Sequence, residues 1–440
     1  MHTFCLLLAA LISAPATTER PNVVVIFTDD QGTLDMGAYG ADDLETPHLD
    51  ALAAEGVRFT QFYSAAPVCS PSRAGLLTGR YPQVAGMPSN AGREGMPQTE
   101  LTLGNLFQDA GYATALVGKW HLGHTHETTP NRQGFDYFFG HLGGCIDNYS
   151  HFFYWGGPNH HDLWENDTEI YRDGEFFQEM VVDEALAWVD GVEAQPFFLY
   201  FALNSPHYPY QGTADWLMHY REQGVSYPRD LYNAFVSTMD EAIGRLLDGL
   251  RQRGLRENTI VVFQSDHGHS VEERAHFGGG YAGPYRGAKF SLYEGGIRVP
   301  AIISWPGRIP SGEVRDQVAH GCDWFPTLTA LSGVEMPGVF LNGRSLQGVL
   351  HDADASSPHE VLHWEFPPGR WAVREGDWKL MGNPYDPTLE EPQPEGAYLY
   401  HLRDDPGEQN NLAEERPEVV ERMMEHRREF EAMIAEQSAR

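Results

Sequence analysis

The chain has 440 residues, of which 41% are hydrophobic and 12% aromatic, and a formal net charge of −32. That apolar content excludes a disordered chain and is enough for a large core and two domains. The acidity excludes a nucleic-acid partner and long-range steering of an anionic substrate, so any anion site must be a local basic pocket.

Residues 4–12 form a short apolar run, and Ala14-Pro15-Ala16 supplies small residues with cleavage-site spacing. The pattern predicts a secretory signal peptide over residues 1–17 and an exported, periplasmic or secreted protein. No later stretch is long and apolar enough to span a bilayer, which predicts no stable membrane insertion. Of four cysteines, Cys5 goes with the signal, while Cys145 and Cys322 either pair or remain free thiols.

Val23 to Phe27 is a continuous apolar run, as in a strand buried on both faces. Around Cys69, Ser70 reads as an N-cap and Pro71 as the first helical residue, placing position 69 just before a helix N-terminus. Arg73, four residues on, can point its guanidinium back to position 69. Leu103 to Ala110 reads as a helix with Thr102 as cap and Gly111 as stop, followed by a strand from Tyr112 to Val117. Val181 to Val189 is helical, Phe197 to Leu203 a strand, and Leu231 to Arg253 a long amphipathic helix ended by Gly254. Ile260 to Phe263 and Val299 to Ser304 are further strands.

This alternation predicts an α/β sandwich around a large, mostly parallel sheet over residues 20–350. Beyond it, His359 to Phe366, Trp371 to Met381 and Tyr398 to Leu402 read as antiparallel strands, with a hairpin turn at Glu375-Gly376-Asp377. A charged helix from Glu415 to about Met433 closes the chain. Residues 351–440 are therefore expected to form a smaller α+β subdomain.

Two buried strands end alike, one in Asp29-Asp30 and the other in Asp266-His267. Ligands gather at the carboxyl ends of strands in open α/β sheets, and adjacent carboxylates repel unless a cation neutralises them. Three carboxylates suit a hard divalent ion such as Ca²⁺ or Mg²⁺. Lys119 and His121 close the strand after Gly111, where side-chain alternation puts both on one face, a fixed charge beside a proton carrier. A zinc cluster of His121, His124 and His126 is the rival reading, but no cysteine or His-Glu motif completes it. Gly278 to Gly280 read as a flexible loop bordering the pocket.

The run Cys69-Ser70-Pro71-Ser72-Arg73, followed by Leu77-Thr78-Gly79-Arg80, resembles the active-site signature of the sulfatase family. Gly118-Lys119-Trp120-His121 resembles the second signature, Ser205-Pro206-His207-Tyr208-Pro209 a third block, and Arg286 to Lys289 with Tyr293 to Pro300 a fourth. The resemblance covers nearly the whole chain. It implies an alkaline-phosphatase-like fold with a four-stranded C-terminal subdomain, and hydrolysis of sulfate esters. It also implies that Cys69 is converted to Cα-formylglycine by a formylglycine-generating or anaerobic sulfatase-maturating enzyme. Asp29, Asp30, Asp266 and His267, with an oxygen from position 69, match the ligands of Ca²⁺, with Mg²⁺ the alternative. His267 departs from the asparagine many members carry there, and imidazole is softer than an amide oxygen. Arg73 anchors position 69, Lys119 and Lys289 hold the sulfate, His207 acts near the leaving group, and His121 removes a proton to expel sulfate.

A phosphonate or phosphate monoester hydrolase on the same fold, and a catalytically silent glycan-binding relic, are the alternatives. Loss of the cysteine, an aspartate or a lysine would favour the relic, and none is missing. Residues 146–164 are rich in aromatic and histidine side chains, among them Tyr149, Phe152, Phe153, Tyr154, Trp155 and Trp164. They suit either stacking on a sulfated carbohydrate or aryl sulfate, or packing on their own domain.

Overall fold

Val23 to Phe27 is buried on both sides because it lies inside a ten-stranded sheet. A computed structural model describes residues 20–438 apart from 93, 155–157 and 193–194. The expected signal peptide, Cys5 and Trp155 lie outside the described residues.

In chain order the strands of this sheet are β1 (Asn22–Thr28), β2 (Val57–Phe59), β3 (Ala113–Lys119), β4 (Tyr137–His141), β5 (Trp164–Glu165), β6 (Thr168–Glu169), β7 (Phe197–Ala202), β8 (Thr259–Ser265), β9 (Ala301–Ser304) and β10 (Glu313–Arg315). Across the sheet they run β10-β2-β9-β8-β1-β7-β3-β4-β5-β6. The central block β8-β1-β7-β3-β4 is parallel throughout. Antiparallel strands flank it, β9 beside β8 and β5 beside β4.

Side chains alternate between two apolar layers, as strand geometry requires. Val24, Ile26, Leu199, Phe201, Val261 and Phe263 face α3 (Phe177–Gly191) and α4 (Arg229–Gln252). Val23, Val25, Phe27, Phe198, Tyr200 and Val262 face α1 (Cys69–Thr78), α2 (Leu103–Asp109) and α5 (Trp324–Ser332). Helices on both faces explain why the strands are continuous apolar runs. This is the expected α/β sandwich. The Thr102 cap also forms as expected, its hydroxyl accepting from the Asn105 N–H.

A second sheet is antiparallel, in the order β11 (Val361–Phe366), β12 (Arg370–Glu375), β13 (Trp378–Gly382) and β14 (Ala397–His401). One face, with Leu362, Trp364, Ala372 and Met381, packs on Tyr63, Leu292, Tyr293 and Ile297 of the first unit. The other face receives Val419 and Met423 of the closing helix α6 (Pro417–Ser438).

An ion cluster crosses that junction. Lys379 Nζ lies 2.9 Å from Glu294 and 2.8 Å from Glu408, and all three side chains are fully buried. Tyr63 donates its hydroxyl to Glu294 at 2.5 Å. Burial disfavours the Glu294 carboxylate, but Lys379, Arg298 and Arg374 reverse that and bring its pKa down to about 2. Removing the lysine would strand two buried carboxylates. We predict that Lys379→Met, which keeps the chain length and deletes the charge, lowers unfolding free energy by about 3–5 kcal/mol in urea melts. A loss below ~1 kcal/mol would show that the cluster does not fasten the junction.

Candidate active site

The carboxyl ends of four adjacent parallel strands converge on one point. β1 runs into Asp29 and Asp30, β8 into Asp266 and His267, β7 into the loop bearing His207, and β3 ends in Lys119. The register pairs Thr28 with Ser265, so the two acidic ends lie side by side. The Asp266 N–H donates to the Thr28 carbonyl at 3.0 Å, and the Asp30 N–H to Asp266 Oδ1 at 3.1 Å. Gly268 makes the β8 end possible, since a Cβ there would fall 1.9 Å from the Gly295 carbonyl oxygen.

The site is dry and densely charged. Asp29, Asp266, Arg73 and Lys119 are fully buried, and Asp30 and Lys289 nearly so. Arg73 Nη2 lies 3.0 Å from Asp266 and 3.6 Å from Asp29. Lys119 pairs with Asp29, and Lys289 with Asp30 at 3.0 Å. Burial works against ionised Asp29, but Lys119, His207 and Arg73 outweigh it and hold its carboxyl well below the usual range. Burial pushes Asp266 well above that range, with His267 pulling the other way and Asp29 adding to the rise.

Cys69 is the first residue of α1, with Val68 as N-cap. This corrects the expectation of Ser70 as cap. The Ser72 N–H already reaches the Val68 carbonyl at 3.3 Å, and Ser70 is committed elsewhere. Its N–H donates to Asn90 Oδ1 at 3.2 Å, and its hydroxyl accepts from the Ala91 N–H at 2.9 Å. Cys69 Sγ lies 3.5 Å from Asp29 Oδ1 and 3.3 Å from His267 Nε2. Burial pushes the thiol above its ordinary value, Lys119 opposes that and Asp29 reinforces it. Arg73 does not end on Cys69 but on the two carboxylates beside it.

One atom of each of Asp29, Cys69, Asp266 and His267 falls within 4.8 Å of the others. The His267 tautomer decides what this cluster can hold. Its Nδ1 lies 2.9 Å from the Gly268 carbonyl, which can only accept, so Nδ1 carries a proton. In the neutral ring Nε2 then presents a lone pair 3.4 Å from Asp30 Oδ1 and 3.3 Å from Asp266 Oδ1. Lone pairs converging in a dry site fit a bound cation. The pairing of charges agrees. Arg73, Lys119 and Lys289 are each already engaged by Asp266, Asp29 and Asp30 respectively.

A pocket of about 250 Å³ opens beside the cluster, and Cys69, His121, His207 and Lys289 line it. His121 arrives there differently from expectation. β3 stops at Lys119 and Trp120 turns into the core, so a left-handed residue (φ 54°) rather than strand alternation delivers His121. Gly144 leaves room for its ring, since a Cβ there would lie 2.7 Å from Cε1. Burial, Lys119 and Arg73 hold His121 well below its ordinary value, and its Nδ1 has no hydrogen-bond partner. His207 donates from Nδ1 to the Tyr208 carbonyl at 2.7 Å, which leaves Nε2 as its basic nitrogen, 3.7 Å from Asp30. Burial lowers its pKa to about 4.

Cys145, Phe153, Tyr208 and Phe290 complete much of the wall, and of these only Phe153 belonged to an expected recognition segment. Tyr149 instead stacks on Phe176, and Trp164 lies in the sheet. Gly278 to Gly280 line a separate cavity with Arg229 and Tyr281, correcting their expected place beside the pocket. His126 contacts Arg132 and joins no metal-like cluster among the described residues. Cys145 and Cys322 are free thiols.

Comparison with known proteins gives these residues a context. The family described as Sulfatase matches residues 21–334, and the one described as N-sulphoglucosamine sulphohydrolase, C-terminal, matches 287–434. The chain is 36% identical over 379 residues to N-acetylgalactosamine-6-sulfatase of Sus scrofa, covering 79% of this chain and 68% of that protein. It is 34% identical over 475 residues to arylsulfatase A of Homo sapiens, covering 94% and 88%. The crystal structure of Ps i-CgsB in complex with k-i-k-neocarrahexaose superposes with a TM-score of 0.82 at 26% identity, covering 94% of this chain and 93% of that one.

Ligand-linked stability tests the cluster directly. Calcium added to chelator-stripped protein should raise the melting temperature, since a ligand at 100 times its Kd stabilises by about 2.7 kcal/mol. Asp30→Ala should lose that response together with turnover. Identical melting with and without the ion would remove the cation from the site.

Proposed function

The chain belongs to the sulfatase family, enzymes that hydrolyse sulfate esters, and on that premise we propose that it desulfates a carbohydrate through a formylglycine made from Cys69. One observation carries the reading. Among the described residues, Cys69 alone both joins the carboxylate–imidazole cluster and lines the pocket. An oxygen at position 69 therefore faces both the cation and the substrate. The match of Cys69-Ser70-Pro71-Ser72-Arg73 to the family signature also favours a converted residue over a cysteine nucleophile.

Asp29, Asp30, Asp266 and His267 hold Ca²⁺ or Mg²⁺, which supplies counter-charge to the sulfate oxygens. The hydrate of the aldehyde supplies the attacking oxygen and re-forms the aldehyde when sulfate leaves. Lys119 and Lys289 grip the sulfate. Burial opposes charge on Lys289, but Asp30 and the Cys69 and Glu272 positions hold its pKa well above the usual lysine value. Lys289 is thus a fixed charge, and proton donation to the leaving alcohol falls to His207. Free His207 is neutral, so its Nε2 takes up its proton when the anionic ester adds negative charge nearby. His121 is held neutral with an unpartnered Nδ1, which suits it to accept a proton as sulfate is expelled. Arg73 fixes Asp29 and Asp266 behind position 69.

Phe153, Tyr208 and Phe290 offer apolar faces suited to a sugar ring. N-acetylgalactosamine-6-sulfatase among the relatives and the neocarrahexaose bound in the similar crystal structure support a carbohydrate, while arylsulfatase A among the relatives keeps an aryl sulfate as the second substrate class. No described helix is long and apolar enough to cross a membrane. We place the enzyme in the periplasm or outside the cell, after maturation by a formylglycine-generating or anaerobic sulfatase-maturating enzyme.

Turnover of matured enzyme on sulfated saccharides, aryl sulfates and matched phosphate esters tests this reading. Preference for a sulfated saccharide supports it, preference for phosphate or phosphonate esters replaces it with the other hydrolase, and binding without turnover replaces it with the silent relic. His207→Ala should slow sugar sulfates by about 10²–10⁴-fold, as expected for a lost general acid, and spare an activated aryl sulfate. Equal losses on both would give His207 a binding role instead.

A further inference from the structure

A second set of ligand-type side chains lies outside the site described above. His151, His161 and Asp173 each bring one ligand atom within 4.8 Å of the others, and they share no residue with the Asp29 cluster. His151 is fully buried and the His161 side chain is 4% exposed. Both imidazoles are fixed from behind. His151 Nε2 lies 3.1 Å from the Glu175 carbonyl, so that nitrogen carries its proton. His161 Nδ1 lies 3.1 Å from Glu169 Oε1, a carboxylate that takes its proton as a hydrogen bond. The remaining nitrogens, His151 Nδ1 and His161 Nε2, are buried and have no hydrogen-bond partner. Asp173 Oδ1 stands 4.0 Å from His161 Nε2, on a side chain 69% exposed. Tyr171 stacks on the His161 ring at 4.2 Å and screens it.

Two imidazoles whose far nitrogens are tied to a carbonyl and a carboxylate, with their near nitrogens unpartnered, form a ligand set of the transition-metal type. Two nitrogens and one oxygen favour zinc over calcium or magnesium, which prefer oxygen throughout. The location gives the ion a task. The short ladder pairs Phe152 with His161 and Phe153 with His160, and Phe153 lines the substrate pocket. Asp173 and Glu175 belong to the segment that enters α3.

We propose that His151, His161 and Asp173 form a second divalent-metal site of the zinc class, completed by water, which ties the hairpin bearing Phe153 to the entry of α3. The site differs from the catalytic cluster in donor chemistry, and nothing in it depends on the chemistry at position 69.

Calcium-loaded enzyme incubated with zinc and desalted should retain about one zinc per chain, as a single three-ligand site requires. Asp173→Asn and His161→Gln should lose that zinc and keep their calcium. Zinc should raise the melting temperature of the parent protein and leave both variants unmoved, and Co²⁺ in place of zinc should give a tetrahedral visible spectrum in the parent alone. Asp173 is exposed, so Asp173→Asn decides the matter even where His161→Gln fails to fold. No retained zinc in the parent, or equal zinc in parent and Asp173→Asn, would overturn the proposal.

Discussion

Three carboxylates buried at the ends of two neighbouring parallel strands set the terms for the rest of the site. Asp29, Asp30 and Asp266 stand where water cannot solvate them, and an isolated buried charge costs several kcal/mol. The fold answers with three equally buried cations drawn from separate elements: Arg73 from α1, Lys119 from β3 and Lys289 from the loop before β9. Position 69 is part of the same solution, because α1 brings Arg73 to Asp266 and, one turn earlier, sets Cys69 beside Asp29 and His267. Each of the three cations is already paired with one of these carboxyl groups, which is the reason the proposed reading gives the anion a further cation.

The C-terminal unit serves this arrangement at one remove. The segment that carries Lys289 continues through Glu294 to Ile297, and the second sheet packs on it through Leu362, Trp364 and Met381. Lys379 clamps Glu294 and Glu408 in the same place. The Gly295 carbonyl lies against Gly268, next to His267 of the carboxylate–imidazole cluster. A shift at the junction would therefore reach both Lys289, which pairs with Asp30 and lines the pocket, and the end of β8.

Much of this was legible in the sequence because it rests on local pattern. Buried parallel strands read as continuous apolar runs, and Asp29-Asp30 and Asp266-His267 follow such runs directly. The parts that were not legible depend on contacts between distant segments. Ser70 looks like a cap until Asn90 and Ala91 occupy its polar groups. His121 looks like a strand residue until Trp120 takes the core position and the backbone turns left-handed. Gly144 gave a usable signal, a Gly-Gly pair where a ring must fit, but nothing in the sequence said which ring. His151, His161 and Asp173 have no recognisable spacing, since a hairpin and a loop assemble them.

The central claim is that Cys69 is a precursor and that the working group at position 69 is an aldehyde. Mass analysis of the tryptic peptide from Phe59 to Arg73, in protein made by a host with a maturation enzyme, tests it most directly. The account predicts a mass about 18 Da below the cysteine form, as replacement of the thiol-bearing carbon by an aldehyde requires, with reactivity toward a hydrazide and activity that tracks the modified fraction. Full activity from protein whose Cys69 is entirely an unmodified thiol would contradict it.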